Sequence, residues 1–191
     1  MRVVSKEEVL LGEERMLRVL SQSLFVYPTD TVYGLGCVAQ DEGLVAKLRN
    51  VKMQHTRPFS VIVPSRAWVE EHCVVTKEAE EWLQKLPGPY TLILRLKEGS
   101  ERAVAWNVTM GLDTLGVRIP DSWFSSVVSS LGVPVVTTSA NPTGGDVMVA
   151  LEDLHPALKK GVDVVVYDGP LQGSPSTLVY VTGDGVVVKK R

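Results

Sequence analysis

Short polar side chains that could bind a ligand follow two apolar segments of this 191-residue sequence. Residues 29–31 (TDT) come directly after the apolar run 24–27, which Pro28 ends because proline cannot donate to a sheet ladder. Residues 137–141 (TTSAN) end a second apolar run in the same way. Ligands in open α/β sheets bind beyond the carboxyl ends of the strands, so both places are candidate sites. An ordinary strand and turn is the alternative for the first segment taken alone.

Arg118 and Lys52 are the cations whose surroundings suggest that they bind an anion. Arg118 lies in the otherwise apolar strand 114–119, and its guanidinium matches a carboxylate through two hydrogen bonds. An edge arginine in a surface ion pair is the equally weighted alternative. Lys52 is a flexible point charge of the kind that neutralises phosphate oxygens, although a solvated lysine after a helix is the commoner case.

Ser139 and Asn141 stand two residues apart, and in an extended segment this spacing points both side chains to one side. Hydroxyl and amide groups suit a sugar, a phosphate or the shell of a magnesium ion. Turn chemistry before Gly144 and Gly145 is the alternative. The sequence contains neither a Walker motif nor GxGxxG, so a nucleotide would be held in another way.

The cysteines and histidines form no reactive or metal-binding pattern. Two cysteines make no disulfide framework, and three scattered histidines lack the spacing of metal ligands. Cys37 could be a nucleophile, but no base is evident beside it, and a small buried thiol is the favoured interpretation. We therefore predict no metal bound by protein side chains.

Length, charge and composition predict one domain, residues 1–191, of an ordinary globular protein. The net charge of −2 argues against a protein whose main task is to coat nucleic acid, although a local basic face is compatible with it. No segment is apolar over the length of a membrane span. Residues 1–16 carry acids where a signal peptide would be apolar, so we expect a cytoplasmic protein.

Strands alternate with helices along most of the chain, which predicts an α/β fold. A capping box formed by Ser5 and Glu8 begins the first helix, which continues through Gly12. We expect residues 97–111 to be irregular, a helix over 151–160, and a closing hairpin. The predicted class is a single-domain open twisted mixed sheet with flanking helices. The predicted strands are 24–27, 59–63, 90–96, 114–119, 134–138, 162–167, 177–181 and 186–189.

Together these segments resemble the YrdC family of threonylcarbamoyl-AMP synthases. The matching text is YPTDTVYGLGC at 27–37, PGPYTLIL at 87–94, TLGVRIP at 114–120, VPVVTTSANPTG at 133–144 and GSPSTLVYV at 173–181, with Lys52 after the second helix. The resemblance runs through nearly the whole chain. It implies a YrdC-like sheet with a concave face.

The resemblance also implies an activity and its site residues. Members form threonylcarbamoyl-AMP and pyrophosphate from L-threonine, bicarbonate and ATP with Mg²⁺, and separate proteins transfer the product to tRNA. The residues implied for threonine binding are Thr31, Arg118, Thr137 and Ser176. Those implied for the nucleotide are Lys52, Gln54, Thr114, Ser139 and Asn141, of which Lys52, Ser139 and Asn141 are the implied catalytic residues.

The chain departs from the family pattern at Gln54, because the family usually has Lys-x-Arg where this chain has Lys52-Met53-Gln54. Arg49 or Arg57 could supply the missing charge. The resemblance also places Lys189 where an arginine often contacts ATP, and we expect no additional C-terminal domain. Two alternatives stay open: a YciO-like paralogue with a different substrate, and a factor that binds tRNA or double-stranded RNA.

Overall fold

The computed structural model describes residues 1–183 and 185–190. Within them the strands form one ten-stranded mixed sheet in the order β1-β8-β2-β3-β7-β4-β6-β5-β9-β10. The strands are β1 (Arg2–Ser5), β2 (Phe25–Tyr27), β3 (Gly34–Gly36), β4 (Ser60–Ile62), β5 (Tyr90–Arg95), β6 (Thr114–Arg118), β7 (Val135–Ser139), β8 (Val164–Tyr167), β9 (Thr177–Gly183) and β10 (Gly185–Lys189). The predicted α/β class with an open mixed sheet is confirmed. Asp184 of the predicted hairpin and Arg191 lie outside the described residues.

Helices pack on both faces of the sheet. They are α1 (Lys6–Leu11), α2 (Glu13–Leu20), α3 (Glu42–Lys52), α4 (Arg66–His72), α5 (Lys77–Leu83), α6 (Trp106–Thr109), α7 (Phe124–Leu131) and α8 (Pro156–Gly161). Apolar side chains of α3, α4, α5 and α8 pack in the larger core, on one face. Side chains of α1, α2 and α7 pack in a smaller core against β1, β8 and β2, on the opposite face.

The strands β4 and β6 carry the uncovered part of that opposite face. Ile62 belongs to the smaller core, so Ser60, two residues earlier in β4, lies on the same side of the sheet. In β6, the buried Leu115 and Val117 belong to the larger core. Alternation therefore leaves Thr114 and Arg118 on the same face as the smaller core but outside that core. This uncovered half is the part of the sheet on which a ligand could lie.

Glycines allow β3 to pack tightly between its neighbours. A Cβ atom on Gly36 would lie 2.2 Å from the carbonyl oxygen of Val136, and one on Gly34 would lie 2.6 Å from Cζ of Tyr27. Neither glycine has a positive φ, so each is required by the close approach of its neighbours. The segment after β2 therefore returns beside it as a strand.

Four local predictions differ from the structure. The first helix is interrupted at Gly12, although the Ser5–Glu8 capping box is confirmed. The four-residue strand β1 was not predicted, because its signal is short and its ladder depends on pairing with the distant β8. Residues 97–111 contain α6. The predicted helix 151–160 is a 3₁₀ turn followed by α8, which begins at Pro156 because proline fits the first turn of a helix.

Candidate active site

A cavity of about 200 Å³ lies where β2, β6 and β7 end; we call it the inner pocket. Its lining includes all four residues implied for threonine binding, namely Thr31, Arg118, Thr137 and Ser176. Residues from distant parts of the chain meet here because the strands that carry them end at the same place. Their roles toward a ligand stay predictions.

Arg118 is buried in the inner pocket and forms an ion pair with Asp30. Its Nη2 donates to Oδ1 of Asp30 over 2.6 Å, and Oδ2 of Asp30 accepts from the main-chain N–H of Asp121 over 3.0 Å. The two side chains are 7% and 9% exposed, so the surface ion pair considered from the sequence is wrong. Nε of Arg118 is buried and has no hydrogen-bond partner among the described residues. The Nε–H donor of this guanidinium is therefore unfilled.

The charge of Arg118 is maintained against desolvation. Burial lowers the pKa of the Arg118 guanidinium from its usual value, and the adjacent Asp30 carboxylate opposes that shift. The guanidinium stays charged at neutral pH even so, because arginine is effectively always protonated in proteins. The inner pocket therefore presents a cation with a fixed orientation.

Two hydrogen-bonded pairs of hydroxyl groups also line the inner pocket. The Thr29 hydroxyl donates to the carbonyl of Val32 over 2.7 Å and lies 2.9 Å from the hydroxyl of Thr31. Because the single proton of Thr29 is used in this way, the Thr31 hydroxyl donates to Thr29 and retains lone pairs as acceptors. The hydroxyls of Thr91 and Ser176 lie 2.8 Å apart. The pocket thus offers both acceptors and donors beside the guanidinium.

The loop 168–176 forms one wall of the inner pocket and is held close to the strand ends. The Tyr33 hydroxyl donates to the carbonyl of Gly169 over 2.7 Å. A Cβ atom on Gly173 would lie 1.8 Å from the carbonyl oxygen of Thr31, so only glycine fits there. No sequence pattern indicates this contact, which joins segments far apart in the chain.

Lys52, Ser139 and Asn141 form a buried cluster beside the inner pocket. Lys52 is 4% exposed, so the solvated lysine considered from the sequence is wrong. Its Nζ donates to the carbonyl oxygen of Ser139 and to Oδ1 of Asn141, each over 2.7 Å. The Ser139 hydroxyl donates to the same Oδ1 over 2.6 Å, as expected if both side chains point to one side. Asn141 also donates to the carbonyl of Gly145, so it takes part in the turn as well.

A second cavity of about 570 Å³ adjoins the first on the uncovered half of the sheet; we call it the outer pocket. The two pockets share Ser60, Thr137 and Thr138. The cations Arg57, Lys189 and Lys190 line the outer pocket, and no carboxylate does so among the described lining residues. Such a lining suits an anionic ligand.

The residues implied for nucleotide binding are divided between three places. Gln54 and Thr114 line the outer pocket, whereas Ser139 lines the inner pocket. Lys52 and Asn141 line neither cavity and contact the pocket through Ser139. Lys189, implied near ATP, lines the outer pocket, where its Nζ lies 5.0 Å from the centre of the Tyr180 ring.

The sequence named two arginines that could replace the family's arginine, and the structure separates them. Arg57 lines the outer pocket. Arg49 lines neither pocket, and its guanidinium is bound to main-chain carbonyls. Asp30 was quoted in the motif but given no role. Two sequence features could have suggested the pair of Asp30 and Arg118. One is an acid between two threonines, and the other is a single arginine in an otherwise apolar strand.

The remaining reactive side chains lie outside the two pockets. Cys37 is fully buried, and desolvation raises the pKa of its thiol, so it is a poor nucleophile. Among residues 1–183 and 185–190, no three His, Cys, Asp or Glu side chains are grouped to hold a metal ion. In the same part of the chain, no helix has the length and apolar character needed to cross a bilayer.

The chain is an α/β protein whose open mixed sheet carries two adjoining pockets, one where strands end and one on the sheet itself. The profile of the Sua5/YciO/YrdC family, described as "Telomere recombination", matches residues 19–191. The chain therefore belongs to the Sua5/YciO/YrdC family, which confirms the resemblance seen in the sequence.

Named relatives and a solved structure are similar to the chain over most of its length. A Methanocaldococcus jannaschii protein provisionally named threonylcarbamoyl-AMP synthase is 32% identical over 173 residues, 88% of this chain and 79% of that protein. The threonylcarbamoyl-AMP synthase of Xanthomonas euvesicatoria is 32% identical, over 82% and 85% of the two chains. The crystal structure of P. abyssi Sua5 complexed with L-threonine superposes with a TM-score of 0.84 at 26% identity. The match covers 98% of this chain and 56% of the Sua5 chain.

Proposed function

We propose that this protein is an ATP-dependent nucleotidyltransferase that forms threonylcarbamoyl-AMP and pyrophosphate from L-threonine, bicarbonate and ATP. Family membership and the names of similar enzymes support this proposal. The observation that carries it is Arg118, a buried guanidinium with an unfilled Nε in a pocket the size of an amino acid.

The inner pocket would bind L-threonine. The carboxylate of threonine would accept hydrogen bonds from Arg118, whose Nη2 is held by Asp30. The lone pairs of Thr31 would accept from the ligand's polar hydrogens, and Thr137 and Ser176 would complete the walls. A cavity of about 200 Å³ suits an amino acid better than a nucleotide.

The outer pocket would bind ATP. Its cations would neutralise phosphate charge, and Thr114 and Gln54 would add hydrogen bonds. Mg²⁺ would arrive on the triphosphate oxygens and help to neutralise the leaving pyrophosphate. The Ser139 hydroxyl, which lines the adjoining inner pocket, would suit its shell.

The chain would act by positioning its substrates, because the reaction needs no protein nucleophile. Threonine nitrogen and bicarbonate form a carbamate with loss of water. A carbamate oxygen then attacks the α-phosphorus, and the bond to the β-phosphate breaks to release pyrophosphate. The shared wall of Ser60, Thr137 and Thr138 is where the two substrates would meet. Lys52 beside Ser139 would place positive charge near that point.

The decisive experiment follows labelled bicarbonate into an adenylate. The protein is incubated with Mg-ATP, L-threonine and labelled bicarbonate. The nucleotide products are then separated, and their masses are determined by mass spectrometry. Threonine-dependent label in threonylcarbamoyl-AMP, with one pyrophosphate per product, is the expected result. Omission of threonine and replacement by L-alanine are the controls. ATP turnover without that product would overturn the proposal.

A YciO-like paralogue is the second candidate, and Gln54 in the outer pocket is the observation that favours it. Such a protein would bind a nucleotide but activate a different amino acid or acyl group. Screening amino acids for pyrophosphate release would identify it. Binding of tRNA or double-stranded RNA stays a prediction, and salt-dependent retention of RNA without ATP turnover would favour it.

Transfer of the product to tRNA by separate proteins, and a cytoplasmic location, complete the proposal. The first comes from the sequence resemblance, and the second comes from the composition of the sequence. Purified threonylcarbamoyl-AMP from this protein, supplied to tRNA-modifying proteins, should support formation of threonylcarbamoyladenosine.

A further inference from the structure

Arg49 is a buried cation in α3 that lines neither pocket, yet it makes an unusual set of contacts. It is 6% exposed. Its Nε and Nη2 both donate to the carbonyl oxygen of Asn107, over 2.8 and 2.5 Å. Its Nη1 donates to the carbonyl oxygens of Gln54 and Arg57, each over 3.0 Å. Four of the five donors of the guanidinium are thus filled by main-chain oxygens.

Three residues that contact the Arg49 side chain also line the outer pocket. Gln54 and Arg57 are bound through their carbonyls, and the ring of Phe59 lies 4.5 Å from the guanidinium carbon. The carbonyl of Arg49 also accepts from the N–H of Gln54 over 3.0 Å. One residue therefore holds both ends of the segment 54–57, which we call the pocket loop.

The chain needs this anchor because the helix ends abruptly before the pocket loop. Met53 ends α3 in the left-handed region, with φ of 54°, and turns the chain away from the helix axis. The carbonyls of Gln54 and Arg57 then point to the same guanidinium. Lysine could not reproduce this contact, since an ammonium lacks the planar fork that reaches three oxygens at once.

We propose that Arg49 is a positioning residue for the outer pocket, which holds the pocket loop so that Arg57 and Phe59 face the bound nucleotide. The identity of that ligand as ATP rests on the proposed function. Arg57 supplies positive charge to the outer pocket, and Arg49 fixes the backbone from which Arg57 extends.

The first test compares ligand binding by Arg49→Lys and by Arg15→Lys, a matched change on the exposed side of α2. Calorimetry should show the Kd for Mg-ATP rising about tenfold in Arg49→Lys, with the Kd for L-threonine changed less than about twofold. Arg15→Lys should leave both constants unchanged. Equal losses for both ligands, or no loss for ATP, would overturn the proposal.

A second variant tests the proposal in case Arg49→Lys does not fold. Arg49→Gln removes the positive charge, so it does not bury a cation that lacks the planar geometry of the guanidinium. It should show the same selective loss of ATP binding. Amide hydrogen exchange at residues 54–57 should be faster in both Arg49 variants than in the wild type. Unchanged exchange there would overturn the proposal.

Coupling to Arg57 separates positioning from a general structural role. Arg57→Ala alone should raise the Kd for Mg-ATP about tenfold, and adding Arg49→Lys should raise it by less than about twofold more. Fully additive losses would contradict the proposal. If the wild type binds no ATP, the proposed function fails, and the exchange of the pocket loop alone decides whether Arg49 positions it.

Discussion

Arg118 and Arg49 are both 6% exposed, yet they serve the two pockets in opposite ways. Arg118 lines the inner pocket, pairs with one carboxylate and keeps its Nε without a partner among the described residues. Arg49 does not line the outer pocket, and four of its donors form hydrogen bonds with neutral main-chain carbonyls. The function of a buried arginine is therefore indicated by its unfilled donors rather than by its burial.

The two arginines should also differ in what their loss does to the fold. Removing Arg118 leaves Asp30 buried without a counter-ion, whereas removing Arg49 leaves carbonyls without donors. An uncompensated buried charge costs more than an unfilled carbonyl. The comparison therefore predicts separate effects on threonine binding, ATP binding and stability.

The largest expected effect is that of Arg118→Ala on the inner pocket. The KM for threonine should rise more than about 100-fold, because the charge-assisted contact with the carboxylate is lost. The KM for ATP should change little. Steady-state kinetics with each substrate varied in turn would measure both. An unchanged dependence on threonine would remove Arg118 from the site.

The same variant should unfold more readily. Breaking the buried pair should lower the free energy of unfolding by about 3–5 kcal/mol, as measured by urea denaturation. The double variant Asp30→Asn with Arg118→Ala should recover part of that loss, since it carries no uncompensated buried charge. No recovery would show that packing rather than charge sets the stability.

Gly173→Ala should disturb the wall of the inner pocket without changing any charge. The new Cβ cannot lie 1.8 Å from the Thr31 carbonyl, so the loop 168–176 must shift away and carry Ser176 with it. We expect the KM for threonine to rise about tenfold or more, with ATP binding kept. Gly183→Ala is the control, because no atom of the described part of the chain lies within 4 Å of its Cβ. An equal KM for threonine in the two variants would contradict a close contact between Gly173 and Thr31.

Asp30→Asn tests whether the carboxylate orients Arg118 for its ligand. Asparagine keeps an oxygen for the N–H of Asp121 but removes the charge that holds Nη2. The KM for threonine should rise about fivefold to tenfold, and the KM for ATP should stay within about twofold. A larger change for ATP than for threonine would argue that the two pockets are not separable in this way.

The smallest effect should come from Gln54→Arg in the outer pocket. The substitution restores the charge of the family pattern beside Arg57 and Lys189. Turnover should be preserved or improved, with the KM for ATP lowered by about twofold to threefold. Loss of activity in a folded variant would show that residue 54 is wrongly aligned with the family's arginine.

Much of the inner pocket was predictable because its residues stand at strand ends. Thr31, Thr137 and Arg118 each end an apolar run that the sequence marks clearly, and strand ends in an α/β sheet meet at one edge. The resemblance added Ser176, and the structure brings all four into one lining.

The long-range contacts that support the two pockets were harder to predict for physical reasons. The partner of Arg118 is 88 residues away in sequence, and Arg49 contacts a carbonyl 58 residues away. Such contacts depend on tertiary packing, and neither periodicity nor residue type marks them. The role of Gly173 cannot be predicted from the sequence either, since only the folded chain brings it against Thr31.

The most direct test of the central claim compares the binding of L-threonine and L-threoninol, which has a hydroxymethyl group in place of the carboxylate. Calorimetry on the wild type should show threoninol binding at least about 50-fold more weakly than threonine. In Arg118→Ala, both ligands should bind with the same low affinity, because the cation that distinguishes them is gone. Equal affinity of the two ligands for the wild type would contradict the claim that Arg118 binds the threonine carboxylate in the inner pocket.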